Sequence, residues 1–177
     1  MSIEELQNTA KNYQWEKVLQ MVLDGANVNT VFDDGNSMVH YAATECSPSH
    51  GGIAIDMLHA LGANLNATTP RGQTALYFAT RYHYIPAVVC LLRHGANSNI
   101  VPCSSNETSL LDEFIIDGHD VEFRSKKIMS LLQNGPHCDV CNEALTSECF
   151  VNTTICFDHA FHVACVEPGP CACPISH

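Results

Sequence analysis

Gly25-Ala26-Asn27-Val28-Asn29 recurs as Gly62-Ala63-Asn64-Leu65-Asn66 and again as Gly95-Ala96-Asn97-Ser98-Asn99. Three near-copies of one pentapeptide mark an internal repeat, and a repeat decides architecture before any single residue is weighed. An apolar helical stretch precedes each copy: Val18-Leu19-Gln20-Met21-Val22-Leu23, Ile53-Ala54-Ile55-Asp56-Met57-Leu58 and Val88-Val89-Cys90-Leu91-Leu92. A glycine can close a helix in left-handed backbone without Cβ strain, and asparagine favours the turn that follows. Each copy therefore reads as a helix stop. A degenerate fourth copy runs Ile128-Met129-Ser130-Leu131-Leu132-Gln133-Asn134-Gly135, with Pro136 in place of the alanine.

After the first three stops comes a turn-prone segment, Phe32-Asp33-Asp34-Gly35-Asn36, Pro70-Arg71-Gly72-Gln73 or Ser104-Ser105-Asn106-Glu107. A short first helix follows in each unit, starting at Ser37-Met38-Val39-His40, Thr74-Ala75-Leu76-Tyr77 and Thr108-Ser109-Leu110-Leu111. Two units are longer than the third. Their extra residues are expected in loops at Cys46-Ser47-Pro48-Ser49-His50-Gly51-Gly52 and around Asp117-Gly118-His119-Asp120. Pro86 suits the first turn of a second helix.

On these residues the chain resembles the ankyrin repeat family, whose unit of about 33 residues carries a Thr-Pro-Leu-His-like helix start and a Gly-Ala-Asn/Asp exit. Thr74 with Leu76, and Ser37 with His40, stand at the family's positions, although Met38, Ala75 and Ser109 replace its proline. The resemblance covers roughly residues 1–136 and implies a mainly α fold, a solenoid of about four helix-pair units. Such a stack carries no chemistry of its own and presents hairpin tips and first helices for binding a protein. The candidate contacts are Phe32, Asp33 and Asp34 at one tip, Arg71 at the next, and Arg81, Tyr82 and Tyr84 after a first helix. His40 and His94 read as structural, and Cys90, inside an apolar helical pattern, as a small buried hydrophobe. Cys46 and Cys103 have no close cysteine partners in sequence.

The remaining segment, 137–177, has a different pattern. Cys138 and Cys141 are followed by Cys156, His159, His162 and Cys165, then by Cys173 and His177. Thiolates and imidazoles at two-residue intervals let neighbouring ligands meet one tetrahedral Zn²⁺, and eight such residues suffice for two ions. Cys171 is an alternative to His177, and Cys149 is a spare thiol.

This series resembles a RING domain with two central histidines, most closely over His159-Ala160-Phe161-His162-Val163-Ala164-Cys165. The resemblance implies a small zinc-bound α+β module with interleaved sites. One ion would take Cys138, Cys141, His162 and Cys165, and the other Cys156, His159, Cys173 and His177. It also implies a ubiquitin ligase without a covalent intermediate, in which Val140 and Pro174 contact a ubiquitin-conjugating enzyme and the stack holds the substrate. Two features depart from the family: Ser176 stands where its last cysteine belongs, and Val166-Glu167-Pro168-Gly169-Pro170 lacks the frequent tryptophan. The alternative is a non-catalytic ankyrin adaptor, or a bacterial effector, whose zinc module caps the open end of the solenoid.

Composition narrows the partners. Nineteen acidic against eight basic residues give a formal charge of −11, which disfavours nucleic acid and anionic membrane. Ten cysteines, seven of them in the last forty residues beside histidines and with no apolar leader, fit metal binding in a reducing compartment better than disulfides. The expected location is cytoplasmic or nuclear, or a host cytosol for an effector. Neither His-Glu-x-x-His, a phosphate-binding glycine loop nor Gly-x-Ser-x-Gly occurs.

Overall fold

The computed structural model describes residues 2–44, 51–100, 122–135, 153–156 and 159–162. Three helix pairs follow in order: α1 (Ile3–Lys11) with α2 (Trp15–Leu23), α3 (Met38–Thr44) with α4 (Gly51–Ala60), and α5 (Ala75–Arg81) with α6 (Ile85–Arg93). A further helix, α7 (Glu122–Asn134), ends at the fourth stop, and β1 (Thr153–Cys156) pairs antiparallel with β2 (His159–His162). First helices stack in one row, α1 on α3 on α5; second helices form the other, α2, α4, α6 and α7.

The repeated glycines do the work their spacing predicts. Gly25, Gly62, Gly95 and Gly135 all take positive φ, between +76° and +106°. At Gly62 the N–H donates to the His59 carbonyl at 2.9 Å while Ala63 N–H reaches Leu58 at 2.9 Å, the paired closure that satisfies the last carbonyls of a helix. The same two bonds recur after α2, from Gly25 and Ala26, and after α6, from Gly95 and Ala96. First helices close in the same way with side-chain-bearing residues: Tyr13 (φ 55°) after α1 and His83 (φ 58°) after α5.

The asparagines after each stop do more than turn the chain. Asn27 Oδ1 accepts the Asn29 N–H at 2.9 Å within its own unit, whereas Asn29 Oδ1 accepts the Asn64 N–H of the next unit at 2.7 Å. Asn66 and Asn97 repeat the inter-unit bond at 2.8 Å. A ladder of amides thus runs along one edge of the stack.

Between the two helical rows lies one continuous core. Met38, Ile55, Leu76, Ile85, Leu91, Ile128 and Leu131 are fully buried, each contributing roughly 1.5–3 kcal/mol by removal from water. Pro86 falls in the first turn of α6, as expected. The lengthened loop of the second unit is shorter than its glycines suggest, because α4 already begins at Gly51. Gly52 sits inside that helix for a packing reason: a Cβ there would lie 3.0 Å from Cys90 Sγ. The other expected insertion, at 117–120, lies outside the described residues.

The outer face of the first unit is polar. Ser2, Glu5, Asn8, Asn12, Gln14 and Lys17 line an open groove along α1 and α2, with Lys17 3.4 Å from Glu5. The row of second helices also holds a buried ionic group. Asp56 on α4 receives Arg93 at 2.7 Å and His94 at 2.6 Å, and the Arg93 side chain is 2% exposed. Removing the carboxylate would leave that guanidinium in a medium that penalises it.

Two substitutions separate backbone strain from packing. Gly62 faces open space, so Gly62→Ala should cost only the left-handed penalty of roughly 1–2 kcal/mol. At Gly35, φ is +78° and a Cβ would stand 2.3 Å from Pro70 Cδ on the neighbouring tip; Gly35→Ala should therefore lose about 1–3 kcal/mol more. Urea midpoints of the two variants test the order, and equal losses would contradict the tip contact.

Candidate functional site

The hairpin tips and first helices form the surface that a helix-pair stack leaves available. At the first tip, Gly35 N–H bonds to Phe32 C=O and Phe32 N–H to Asn36 C=O, both at 2.8 Å, closing a tight turn between bridge partners Val31 and Ser37. The second tip is built identically from Thr69, Gly72 and Gln73, with Thr69 Oγ1 accepting the Arg71 and Gln73 N–H groups. Asp33, Asp34 and Arg71 are consequently exposed at the tips, as expected from sequence. Phe32 is not. It is 3% exposed, because the turn carries its side chain inward against Tyr41, ring centroids 5.7 Å apart.

Asp34 is held in a network. Its carboxylate accepts from the Tyr41 hydroxyl and the Asn36 N–H and pairs with Lys11 at 3.2 Å. Burial alone would raise its pKa, but the bonds from Tyr41, Asn36 and Lys11 outweigh that and hold it well below the ordinary 3.8. Tyr41 responds in the opposite sense: burial, then the carboxylate at its hydroxyl, push it up to about 12. Gln7 donates to the same hydroxyl at 3.3 Å, and Lys11 Nζ lies 5.9 Å from the Tyr41 ring centroid. Residues of α1, α3 and the first tip are thereby locked together.

Further along, α5 displays aromatic rings. Phe78 and Tyr82 stack at 6.4 Å with planes 7° apart, and Tyr82 stacks in turn on Tyr84 at 5.9 Å. Tyr82 is 53% exposed, whereas Tyr84 is half-buried and packs on the core. Arg81 is exposed beside them. Sequence reasoning missed Tyr41 and Phe78. Both stand four residues after the Ser or Thr that opens a first helix, and that register was the available signal.

His40 has the structural role expected of it. Nδ1 accepts the Ser37 N–H at 3.0 Å, which puts the proton on Nε2, 3.2 Å from the Gln73 carbonyl of the next tip. Burial lowers its pKa, so the neutral ring that makes this bridge persists. His94 is tied to Asp56, and Cys90 is 1% exposed, its thiol pushed up to about 12 by burial.

The family model for the Ankyrin repeat matches residues 71–101, from the second tip through α5 and α6 to the third stop. Residues 71–101 are an ankyrin repeat. No curated protein matches the chain. The helix pairs on the amino-terminal side of that repeat share its stops, its tips and its amide ladder. Ankyrin repeats generally bind protein partners, so the match points to protein–protein interaction. Among the described residues no helix is long and apolar enough to cross a membrane.

Of the eight expected metal ligands, Cys156, His159 and His162 fall on the hairpin, and the other five, Cys138, Cys141, Cys165, Cys173 and His177, lie outside the described residues. Val140, Pro174, Cys46 and Cys103 do too. The hairpin register pairs Cys156 with His159 and Thr153 with His162. Directly opposed residues have Cα atoms about 4.5–5.5 Å apart, a separation compatible with two ligands of one tetrahedral ion. His162 stands three positions beyond His159, at the opposite parity of the strand. Among the described residues no group of three or more His, Cys, Asp or Glu forms a metal site.

The Asp34 network makes a pH prediction. Because its folded pKa lies below the ordinary 3.8, its contribution is complete above that value and is lost as pH falls through the lowered one. Wild type should exceed Asp34→Asn in stability at neutral pH, with the gap closing below about pH 4. In Tyr41→Phe, the Asp34 carboxyl titration followed by NMR should move upward; an unmoved titration would remove Tyr41 as a cause.

Proposed function

We propose that the ankyrin stack selects a protein substrate and that the C-terminal Cys/His series is a RING-like zinc module that recruits a ubiquitin-conjugating enzyme to it. The observation that carries this reading is the ligand order, with Cys138 three residues after the helix stop Gly135 and Cys156 opposite His159 in the hairpin register. The register fits the interleaved assignment, in which Cys156 and His159 serve one ion and His162, at opposite strand parity, serves the other. Zinc supplies folding free energy to so short a segment and fixes the geometry of its loops. Transfer of ubiquitin is then a matter of positioning: the enzyme-bound thioester is held near a substrate lysine, and proximity provides the rate. Val140 and Pro174 are the residues proposed to meet the conjugating enzyme. Asp33, Arg71, Arg81 and Tyr82, exposed along the tips and α5, are proposed to meet the substrate.

A second reading has an observation of its own. β2 lies beside α6, as expected of a zinc module that packs against the solenoid and serves an adaptor without transfer activity. Ubiquitin-chain formation with a panel of conjugating enzymes separates the two. Chains are expected with at least one enzyme, and Val140→Ala should reduce them about tenfold, the effect of losing an interface anchor worth more than 1 kcal/mol. Absence of chains with every enzyme would leave the adaptor.

Metal content gives an independent check. About two zinc ions per chain are expected for eight ligands, and His177→Ala should lower the count by about one. An unchanged count would transfer the last position to Cys171.

A further inference from the structure

We infer that the C-terminal hairpin docks on the outer side of α6, so that metal loading of the Cys/His series is coupled to the stability of the ankyrin stack. The coupling rests on the zinc reading above; the docking does not. Counting back from the helix stops puts Leu19, Asp56 and Val89 at one equivalent position of the three second helices, and Leu23, Ala60 and Arg93 at another. Their burial differs sharply. Leu19 and Asp56 are half-buried while Val89 is 0% exposed, and Leu23 is 64% exposed, Ala60 is exposed, yet Arg93 is only 7% exposed.

The next second helix does not account for this. α4 has α6 on its following side much as α6 has α7, and α4 still leaves His59 and Ala60 open to solvent. Something additional covers α6, and the described element beside it outside the helix row is β2. The composition of α6 agrees. Ile85-Pro86-Ala87-Val88-Val89-Cys90-Leu91-Leu92 is apolar all round, the pattern of a helix covered on every side. By contrast α2 carries Glu16, Lys17 and Gln20 on its exposed side. The segment differs from α2 in composition and from both earlier second helices in burial, since α4 is as apolar yet leaves Ile53 exposed, because α6 serves two neighbours, the stack and the hairpin.

If hairpin and stack share a face, whatever orders one stabilises the other, and the linkage is reciprocal. Hydrogen exchange by mass spectrometry on the full chain, with zinc measured alongside, tests both parts. Stripping the metal should speed exchange of α6 amides about tenfold while α1 and α2 stay unchanged, the signature of a local opening. Phe161→Pro, which removes a ladder N–H from β2 without replacing a ligand, should speed α6 in the same way. Val89→Asn should weaken zinc affinity about tenfold by reciprocity, whereas Leu19→Asn at the equivalent place in the first unit should not. If α6 exchange ignores Phe161→Pro and Val89→Asn leaves zinc affinity unchanged, the docking is wrong. If Phe161→Pro acts but stripping the metal does not, the coupling is wrong. A chain that holds no zinc would refute the zinc reading and the coupling with it, leaving Phe161→Pro to decide the docking.

Discussion

Everything in this stack depends on how its second helices end. A helix leaves its last carbonyls without partners, and here the debt is settled by one left-handed residue followed by two backwards hydrogen bonds, repeated after α2, α4 and α6. That closure fixes the direction in which the chain leaves. It carries the backbone into the asparagine turn, and the turn places each hairpin tip beside its neighbour. The tip then sets the start of the next first helix, through Thr74 accepting the Tyr77 N–H at 3.1 Å.

The repeats could be read from sequence because this constraint has few chemical solutions. Left-handed backbone selects glycine, and an apolar face at helical spacing selects a buried row, so both left a trace at Gly25, Gly62, Gly95 and Gly135. What the sequence concealed had several solutions. Tyr13 and His83 hold the same left-handed position with side chains attached, which no composition rule predicts. The asparagines were legible as turn formers but not as inter-unit acceptors, since nothing in a pentapeptide says where its amide will point. Phe32 looked like a surface residue because it stands in a polar turn, and only the fold reveals that the turn faces it inward. Gly51 and Gly52 looked like loop, although both belong to α4, where a side chain at Gly52 would crowd Cys90.

The candidate binding surface divides into two regions of different character. The first is polar and pre-ordered: Lys11, Asp34, Tyr41 and Gln7 satisfy one another across two units, so a partner meets side chains whose freedom is already spent. The second is aromatic, with Phe78, Tyr82 and Tyr84 stacked in sequence and Tyr82 outermost. Rigid rings offer contact area at small cost in rotamer entropy. The ankyrin match falls on this second region, and the Cys/His series follows it along the chain. A recogniser and an effector in that order define the proposed activity.

The amide ladder has a direction. Each unit offers a side-chain oxygen forward, from Asn29 and Asn66, and a backbone N–H backward, from Asn64 and Asn97. At the level of hydrogen bonds the stack is a head-to-tail polymer, with a donor end at the first unit and an acceptor end at the last. A polymer of that kind can be lengthened only by a monomer carrying both halves. The fourth stop supplies Pro136 and His137 where its predecessors have alanine and asparagine, so the amino-acid code for another identical rung is interrupted there, immediately before Cys138 begins the Cys/His series.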